Sequence, residues 1–373
     1  MSRPGRIVIC GAGAIGASTA YFLTRRGARP TIVDRARPGA AASGRAAGFL
    51  ALDCLAGTPL DQLARASFTL HRHLAEELGA ERLGYRPTEA IMTAAADEGD
   101  LERYRRLPSP GWLDGNVVAH QEIGTAETTA QVNPLSFTTA LVEEAVTAGA
   151  ELLTGVVDGL SFDDAGAVTG VSVDGTTIPA DALVLALGPW TSQAQRWIAL
   201  PQVLGSKGAS IVMAADVPAQ VVFSEYIDRD GRRSQVEIYP RPGGLVYMNG
   251  QPENDPLPDD PDSIVPSDRA WRELHRIAGV HSSVLGEAEV VVRSACYRPL
   301  TVDGIPLIGP VPGAQGAYLA TGHASWGILN APASGQMVSE MLLDGRSTSL
   351  DASLFALTRL PAARRSHTGV SGR

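Results

Sequence analysis

The sequence predicts an α/β fold, with a Rossmann-like domain on a parallel sheet and a second domain of short strands. Three observations carry that prediction. The apolar run Ile7-Val-Ile-Cys10 leads straight into Gly11-Ala-Gly13-Ala-Ile-Gly16; a second apolar run, Thr31-Ile-Val-Asp34, ends on an acid; and short β runs recur between residues 156 and 250.

The first run has no polar alternation, which suits a strand buried on both faces. Its glycines have the G-x-G-x-x-G spacing of dinucleotide binding. Gly11 allows the tight turn, Gly13 lets backbone approach a pyrophosphate, and Gly16 lets helix and strand pack closely. The N–H groups around Gly13, Ala14 and Ile15 open a helix whose dipole favours phosphate. That helix is expected over residues 14–26, stopped by Gly27. Asp34, followed by Arg35, is placed to accept from ribose hydroxyls. The motif alone does not say which dinucleotide.

At 373 residues and 44% hydrophobic, the chain is long enough for two domains. A net charge of −9, with no basic block before the last few residues, disfavours nucleic-acid and anionic-membrane partners. Cys10, Cys54 and Cys296 are scattered without metal-ligand spacing, which suits a reducing compartment and predicts no metal site. Neither a leader nor a membrane span is read, so a cytoplasmic protein is expected. Lys207 is the only lysine.

In chain order, residues 38–48 read as a small-residue loop that brings backbone close to something flat or charged. Residues 60–78 have helical spacing, with His71 and His73 on the solvated face. Residues 85–130 belong to the second domain. Residues 134–148 form an amphipathic helix with Leu135, Phe137, Ala140, Leu141, Ala145 and Val146 at helical period, and a strand follows at 151–154. Residues 156–178 read as a β-meander with turns at Asp163–Gly166 and Asp174-Gly175. The apolar strand at 182–187 ends in Leu187-Gly188-Pro-Trp190, another place for backbone to meet a cofactor. Residues 251–268 read as an exposed loop, 271–278 as a short helix and 289–298 as a strand. A last strand at 317–320 runs into Gly322-His-Ala-Ser-Trp-Gly327 and a helix of about three turns. The tail after Leu360 is polar and expected to be disordered.

Taken together, the blocks GAGAIG through Asp34, ASGRAAGFL at 42–50, LVLALGPW at 183–190, YRPLTVDGIPLIG at 297–309 and ATGHASWGILNAPASG at 320–335 resemble the D-amino-acid oxidase superfamily. The resemblance is nearest to its glycine oxidase and monomeric sarcosine oxidase branch. It implies bound FAD, and a discontinuous FAD domain from residues 1–84, 131–204 and 289–362. It also implies a mainly antiparallel substrate domain from 85–130 and 205–288, with 363–373 as tail. In the family, backbone like that of Ser43, Gly44, Arg45, Ala46, Ala47 and Gly48 touches flavin or pyrophosphate. A segment like Gly155 to Val157, including Val156, meets the adenine side. Independently of the family, the turn from Gly322 to Gly327 precedes a helix. The backbone of Gly327, Ile328 and Leu329 is thereby suited to stabilise negative charge on a reduced flavin.

For catalysis, Arg298 in the pattern R-P-x-T-x-D-G matches the arginine that in relatives pairs with a substrate carboxylate; a salt bridge to Asp303 is the competing reading. His323 is read either as a chemical participant or as a helix-entry residue. Cys296 stands where the sarcosine oxidase branch links its flavin, against an ordinary small strand residue. Lys207 is at the substrate-domain edge, where relatives often carry a basic residue. Glu237 stands about where glycine oxidases place a tyrosine; it faces a substrate ammonium or, by strand alternation, solvent. Tyr239 and Tyr247 are candidate wall residues. The resulting expectation is an FAD-dependent oxidase of a small amine or amino acid, producing an imine and hydrogen peroxide from dioxygen. Alternatives are a dehydrogenase of the same fold that passes electrons to a quinone or carrier protein, a nicotinamide enzyme, and a flavin-binding protein with little catalysis.

Overall fold

The computed structural model describes residues 4–99 and 101–362. The chain divides into two compact units: residues 1–44, 138–205 and 298–373, and residues 45–137 and 206–297. Residues 45–84, 131–137 and 289–297, expected with the FAD domain, cluster with the second unit. The reason is local pairing, since Phe49–Ala51 and Arg86–Pro87 both pair with Thr129–Gln131.

The first unit is organised by a six-stranded sheet in the order Leu307–Pro310, Ala317–Thr321, Ala182–Leu185, Ile7–Cys10, Thr31–Asp34, Glu151–Thr154. All neighbours pair in parallel except the Leu307–Pro310 edge strand. The helix Ala14–Thr24 starts directly after the first glycines because Gly16 has no side chain: a Cβ there would lie 1.9 Å from the Gly11 carbonyl oxygen. Gly11 itself sits at φ +113°, against the end of the Ala182–Leu185 strand. The meander is present as Val157–Phe162, Val168–Val173 and Thr176–Pro179, and its Val168, Val171 and Val173 share a core with Val8, Leu183, Leu185 and Leu319.

The last long helix, Gly327–Asp344, has 18 residues rather than the expected three turns. Pro332 forfeits one backbone hydrogen bond there. Nearly every residue from Ile328 to Leu343 is nevertheless buried, and packing holds the helix through the interruption. It lies close on Ala14–Thr24, where a Cβ on Gly335 would meet the Ser18 backbone at 2.5 Å.

The second unit carries a seven-stranded, mainly antiparallel sheet in the order Glu289–Leu300, Leu204–Ala214, Leu245–Glu253, Arg233–Arg241, Gln220–Ile227, Glu89–Ala96, Val117–Gly124. Alternation divides its faces. Ile211, Met213, Val222, Val236, Ile238, Val246 and Met248 join Trp271, Leu274 and Ile277 of the helix Asp268–His281 in one core.

Several expectations are corrected. His71 is buried, with its ring 4.7 Å from that of Phe137; it occupies the apolar stripe one turn beyond Phe68, and only His73 is exposed. Leu135 and Val146 are exposed. Residues 42–45 form a helical turn within the small-residue loop. The stretch 251–268 begins as strand and buries Pro261 and Ile264. The tail expected to be disordered lies, from residue 363, outside the described residues. No helix among the described residues is long and apolar enough to cross a membrane.

Candidate active site

In the first unit, the sequence candidates gather at the carboxyl ends of the parallel strands, where open α/β sheets bind ligands. Gly11 follows Cys10, Asp34 ends its strand, Gly155 to Val157 follow Thr154, Leu187 and Gly188 follow Leu185, and Gly322 and His323 follow Thr321. The neighbouring strands share a direction, so these ends lie along one edge of the sheet.

Two long helices begin at that edge, and neither has an acidic residue in its first turn nor a capping side chain on its N-cap residue, Gly13 or Trp326. Their positive ends are therefore not neutralised by their own sequence. The Ala14 N–H donates to Ser43 Oγ at 2.8 Å, and a Cβ on Gly13 would come within 3.1 Å of that oxygen. Ser43 thus lies against the glycine turn at the helix N-terminus and occupies one of its N–H groups. Gly44 lies in the same helical turn, its N–H donating to the Ala41 carbonyl.

Asp34 accepts from Ala12 N–H at 2.8 Å and from Ala36 N–H at 2.9 Å. Burial pushes its carboxyl above the usual range, while the two N–H groups oppose the shift. The adjacent Gly155 N–H donates to the Asp34 carbonyl, and Val156 and Val157 continue from there. Arg35 stacks 4.9 Å over the Trp190 ring and donates to Gln193, which flanks the Gly188 turn.

The reactive-end candidates are held by the C-terminal elements. A bridge between Leu300 and His323, and Gly322 at φ +83° against Thr301, keep the end of the Glu289–Leu300 strand beside the turn that opens the last helix. Arg298 Nη1 donates to Ser325 Oγ in that turn at 3.2 Å. Asp303, the competing partner in the sequence reading, is bound instead by Arg359 at 2.7 Å, which holds its carboxyl below the usual range. His323 is buried with Nε2 2.9 Å from Ser334 Oγ, and burial pushes it down to about 3. Its imidazole is therefore neutral near pH 7 and orders the helix entry.

Sequence reasoning missed Asn330. It is fully buried in the first two turns of the last helix, and both its amide atoms lack a partner among the described residues. Its signal was a lone amide inside the apolar run Ile328-Leu-Asn-Ala-Pro-Ala333.

In the second unit, the backbone of residues 45–48 is fixed by side chains. Arg45 donates to the carbonyls of Pro261, Ile264 and Ala295, Arg241 Nη2 donates to the Ala46 carbonyl at 3.0 Å, and Tyr247 OH donates to the Arg45 carbonyl at 3.1 Å. The Ala47 carbonyl lies within 3.5 Å of the same Arg241 nitrogen, and Gly48 is required because a Cβ would meet the Val132 carbonyl oxygen at 2.1 Å. Arg241 also lies 4.5 Å over the Tyr247 ring.

Lys207 is buried and pairs with Asp255 and with Glu253, its register neighbour; the carboxylates outweigh burial and raise its pKa. It is an anchored ammonium within an ion cluster. Glu237 lies on the sheet face opposite the core that Val236 and Ile238 join, and accepts from Tyr239 OH at 2.7 Å and Asn249 Nδ2 at 2.9 Å. Cys296 is half-buried and in no disulfide.

These features fit FAD: a glycine-lined phosphate cradle, an acid at the ribose position, and a second helix end with an unsatisfied buried amide. The sequence model of the family described as FAD dependent oxidoreductase matches residues 6–341. The chain is 31% identical to an oxidoreductase of Schizosaccharomyces pombe, covering 95% of this chain and 98% of that one. It is 30% identical to a glycine oxidase of Geobacillus kaustophilus, covering 95% and 96%. The crystal structure of glycine oxidase from Geobacillus kaustophilus superposes with a TM-score of 0.79 at 28% identity, covering 96% of this chain and 99% of that one. The mixed α/β fold is thus shared, and the chain belongs to the FAD-dependent oxidoreductase family, in its glycine oxidase-like branch.

Proposed function

We propose that the chain oxidises the carbon–nitrogen bond of a small amine or amino acid, with dioxygen as the electron acceptor. The observation that carries the carboxylate half is Arg298, set beside the turn that opens the last helix while Asp303 is engaged by Arg359. A guanidinium binds a carboxylate through two parallel hydrogen bonds and so fixes orientation as well as position. The 30% identical glycine oxidase supports a small amino acid as the substrate class.

FAD, when bound, takes up the hydride that leaves the substrate carbon. The chain's own residues bind and orient. Gly13, Ala14 and Ser43 would hold the pyrophosphate, and Asp34 the adenosine ribose. The first turn of the Gly327–Asp344 helix would present N–H groups and a positive dipole end to the ring edge that gains charge. His323, neutral and bound to Ser334, holds that turn. The neutral amine loses two electrons and two protons, one from carbon and one from nitrogen, to become an imine, which water hydrolyses; dioxygen gains the two electrons and two protons as hydrogen peroxide.

Arg298→Ala tests the assignment. A lost charge-assisted pair is worth about 1.5–3 kcal/mol, so KM for a carboxylate substrate is expected to rise roughly 10- to 100-fold. An unchanged KM would remove Arg298 from the substrate site. The acceptor is tested by peroxide yield per turnover in air. One observation favours the dehydrogenase alternative: a free cation beside the flavin would stabilise the negative charge that develops on dioxygen as it is reduced, and the sole lysine is held by two carboxylates. Turnover that needs an added quinone and yields little peroxide would establish that alternative.

A further inference from the structure

Beyond Arg298 the chain leaves its strand at Leu300, turns through residues 301–306 and returns as Leu307–Pro310. Both ends of that turn abut the entry to the last helix, since Leu300 bridges to His323 and Leu307 pairs with Thr321. The direction in which Arg298 points therefore depends on how firmly residues 301–306 are held. By itself the turn is weakly determined. Val302 is 68% exposed, and Asp303 and Gly304 are also on the surface. Its internal bonds are few: Thr301 Oγ1 donates to the Ile305 carbonyl at 2.8 Å, and the Ile305 N–H to Asp303 Oδ1 at 3.1 Å.

What pins the turn comes from the segment after the last helix. Phe355 and Leu357 are buried there, and Leu357 joins the core that holds Leu307 and Leu319. The short turn Leu357–Arg359 is thereby seated beside the edge strand, and Arg359 uses every one of its guanidinium nitrogens. Nε donates to Asp303 Oδ2 at 2.7 Å, and Nη2 to Asp303 Oδ1 at 3.3 Å and to the Ile305 carbonyl. Nη1 donates to the Ala356 carbonyl of its own segment at 3.2 Å. The two bonds to Asp303 form a fork on one carboxylate, which fixes angle as well as distance. The side chains are only 17% and 28% exposed, so the pair is screened less than an open surface pair. One guanidinium thus ties both sides of the turn to a segment rooted in the core.

We propose that Arg359 is a positioning residue for Arg298: by locking the 301–306 turn at Asp303 and Ile305, it holds the strand end that aims the Arg298 guanidinium. The inference rests on the reading of Arg298 as the carboxylate-binding group and assigns Arg359 no contact with substrate. A group that grips a planar carboxylate must be held within about 0.5 Å of its productive place, and this clamp supplies that support.

The test uses the FAD-loaded enzyme and propionate, with binding read from perturbation of the visible flavin spectrum. Arg359→Gln removes the fork and the charge while keeping a polar side chain. The expected result is propionate binding weakened roughly 10-fold at unchanged FAD content. In an Arg298→Ala background the same substitution should cause no further loss, because no guanidinium is left to aim. A merely structural role would weaken binding by the same factor in both backgrounds, and that result overturns the inference. So does unchanged binding in Arg359→Gln alone. If Arg359→Gln does not retain FAD, Asp303→Asn breaks the fork from its other side, and the same dependence on Arg298 is expected. The two readings fail in different ways. Arg298→Ala that leaves propionate binding intact removes the carboxylate assignment and the clamp's purpose with it. Loss in Arg298→Ala with no effect of Arg359→Gln removes the clamp alone.

Discussion

The carboxyl ends of the parallel sheet and the face of the seven-stranded sheet opposite the Asp268–His281 helix are built on opposite plans. At the strand ends, the candidate site is built mainly of backbone: glycine turns, two helix N-termini whose N-cap residues supply no capping side chain, and single side chains such as Asp34 and Ser43 that answer N–H groups. On the sheet face opposite the Asp268–His281 helix the contacts are made by side chains, with Glu237, Tyr239, Asn249, Tyr247 and Arg241 bonded to one another or to the Arg45–Ala47 carbonyls. A backbone-built site fails when a side chain is added. A side-chain-built site changes meaning when one is exchanged, and the same charge can serve as an anchor or as a ligand. Lys207 and Glu237 illustrate the second case, since one charge is neutralised by its neighbours and the other accepts from neutral donors.

The largest effect tests that contrast directly. Lys207→Met would leave the buried Glu253 carboxylate without its cation, a change that typically costs about 3–5 kcal/mol. The expected outcome is a large drop in the urea midpoint, with the rate of flavin reoxidation per FAD-loaded molecule unchanged. A slowed reaction with dioxygen at unchanged stability would move Lys207 from anchor to participant.

Gly16→Ala comes next and probes the backbone-built region. The new Cβ would lie 1.9 Å from the Gly11 carbonyl oxygen, so the helix must lift away from the strand. Forced overpacking of this kind costs about 1–3 kcal/mol. Because the lifted helix carries the phosphate cradle, FAD retention through gel filtration should fall with stability. Gly27→Ala is the control. It is at positive φ but meets nothing within 4 Å, so FAD should stay bound. If both variants keep FAD equally well, close approach is not what Gly16 provides.

The same contrast explains what was legible in the sequence. Gly11, Gly13, Gly16 and Asp34 could be read because backbone sites need fixed spacing, and the parallel strands around them are uninterrupted apolar runs. Side-chain partnerships were not legible. Nothing in the sequence says that Asp303 turns to Arg359, 56 residues away, or that the sole lysine meets Asp255 and Glu253. Strand period alone leaves the direction of Glu237 open. The packing of Val236 and Ile238 against the Asp268–His281 helix decides it. His71 departs from its expected face for a related reason: a histidine on an apolar stripe goes where the stripe goes.

Each unit also holds a buried histidine whose pKa is strongly lowered, and acid titration extends the comparison. His323 at the strand ends is pushed down to about 3, and His281, bonded to Ile277 O and Ser224 Oγ in the second unit, to about 4, both by burial. An unfolded histidine titrates near 6.5. Below that pH the unfolded chain binds protons that the folded chain refuses, so the stability these groups contribute is complete above about 6.5. It is lost as pH falls toward each folded value. The expected slope is about 1.4 kcal/mol per pH unit for each histidine. Both contribute down to about pH 4, and only His323 between about 4 and 3. Carboxylates add their own acid loss, so the informative quantity is the difference between variant and wild type in urea midpoints across pH 7 to 4. His323→Gln and His281→Gln should each flatten that curve by one proton. A His323→Gln curve parallel to wild type would mean that its imidazole takes up a proton as readily in the folded chain as in the unfolded one, and the assignment of a buried, permanently neutral helix-entry imidazole would fail.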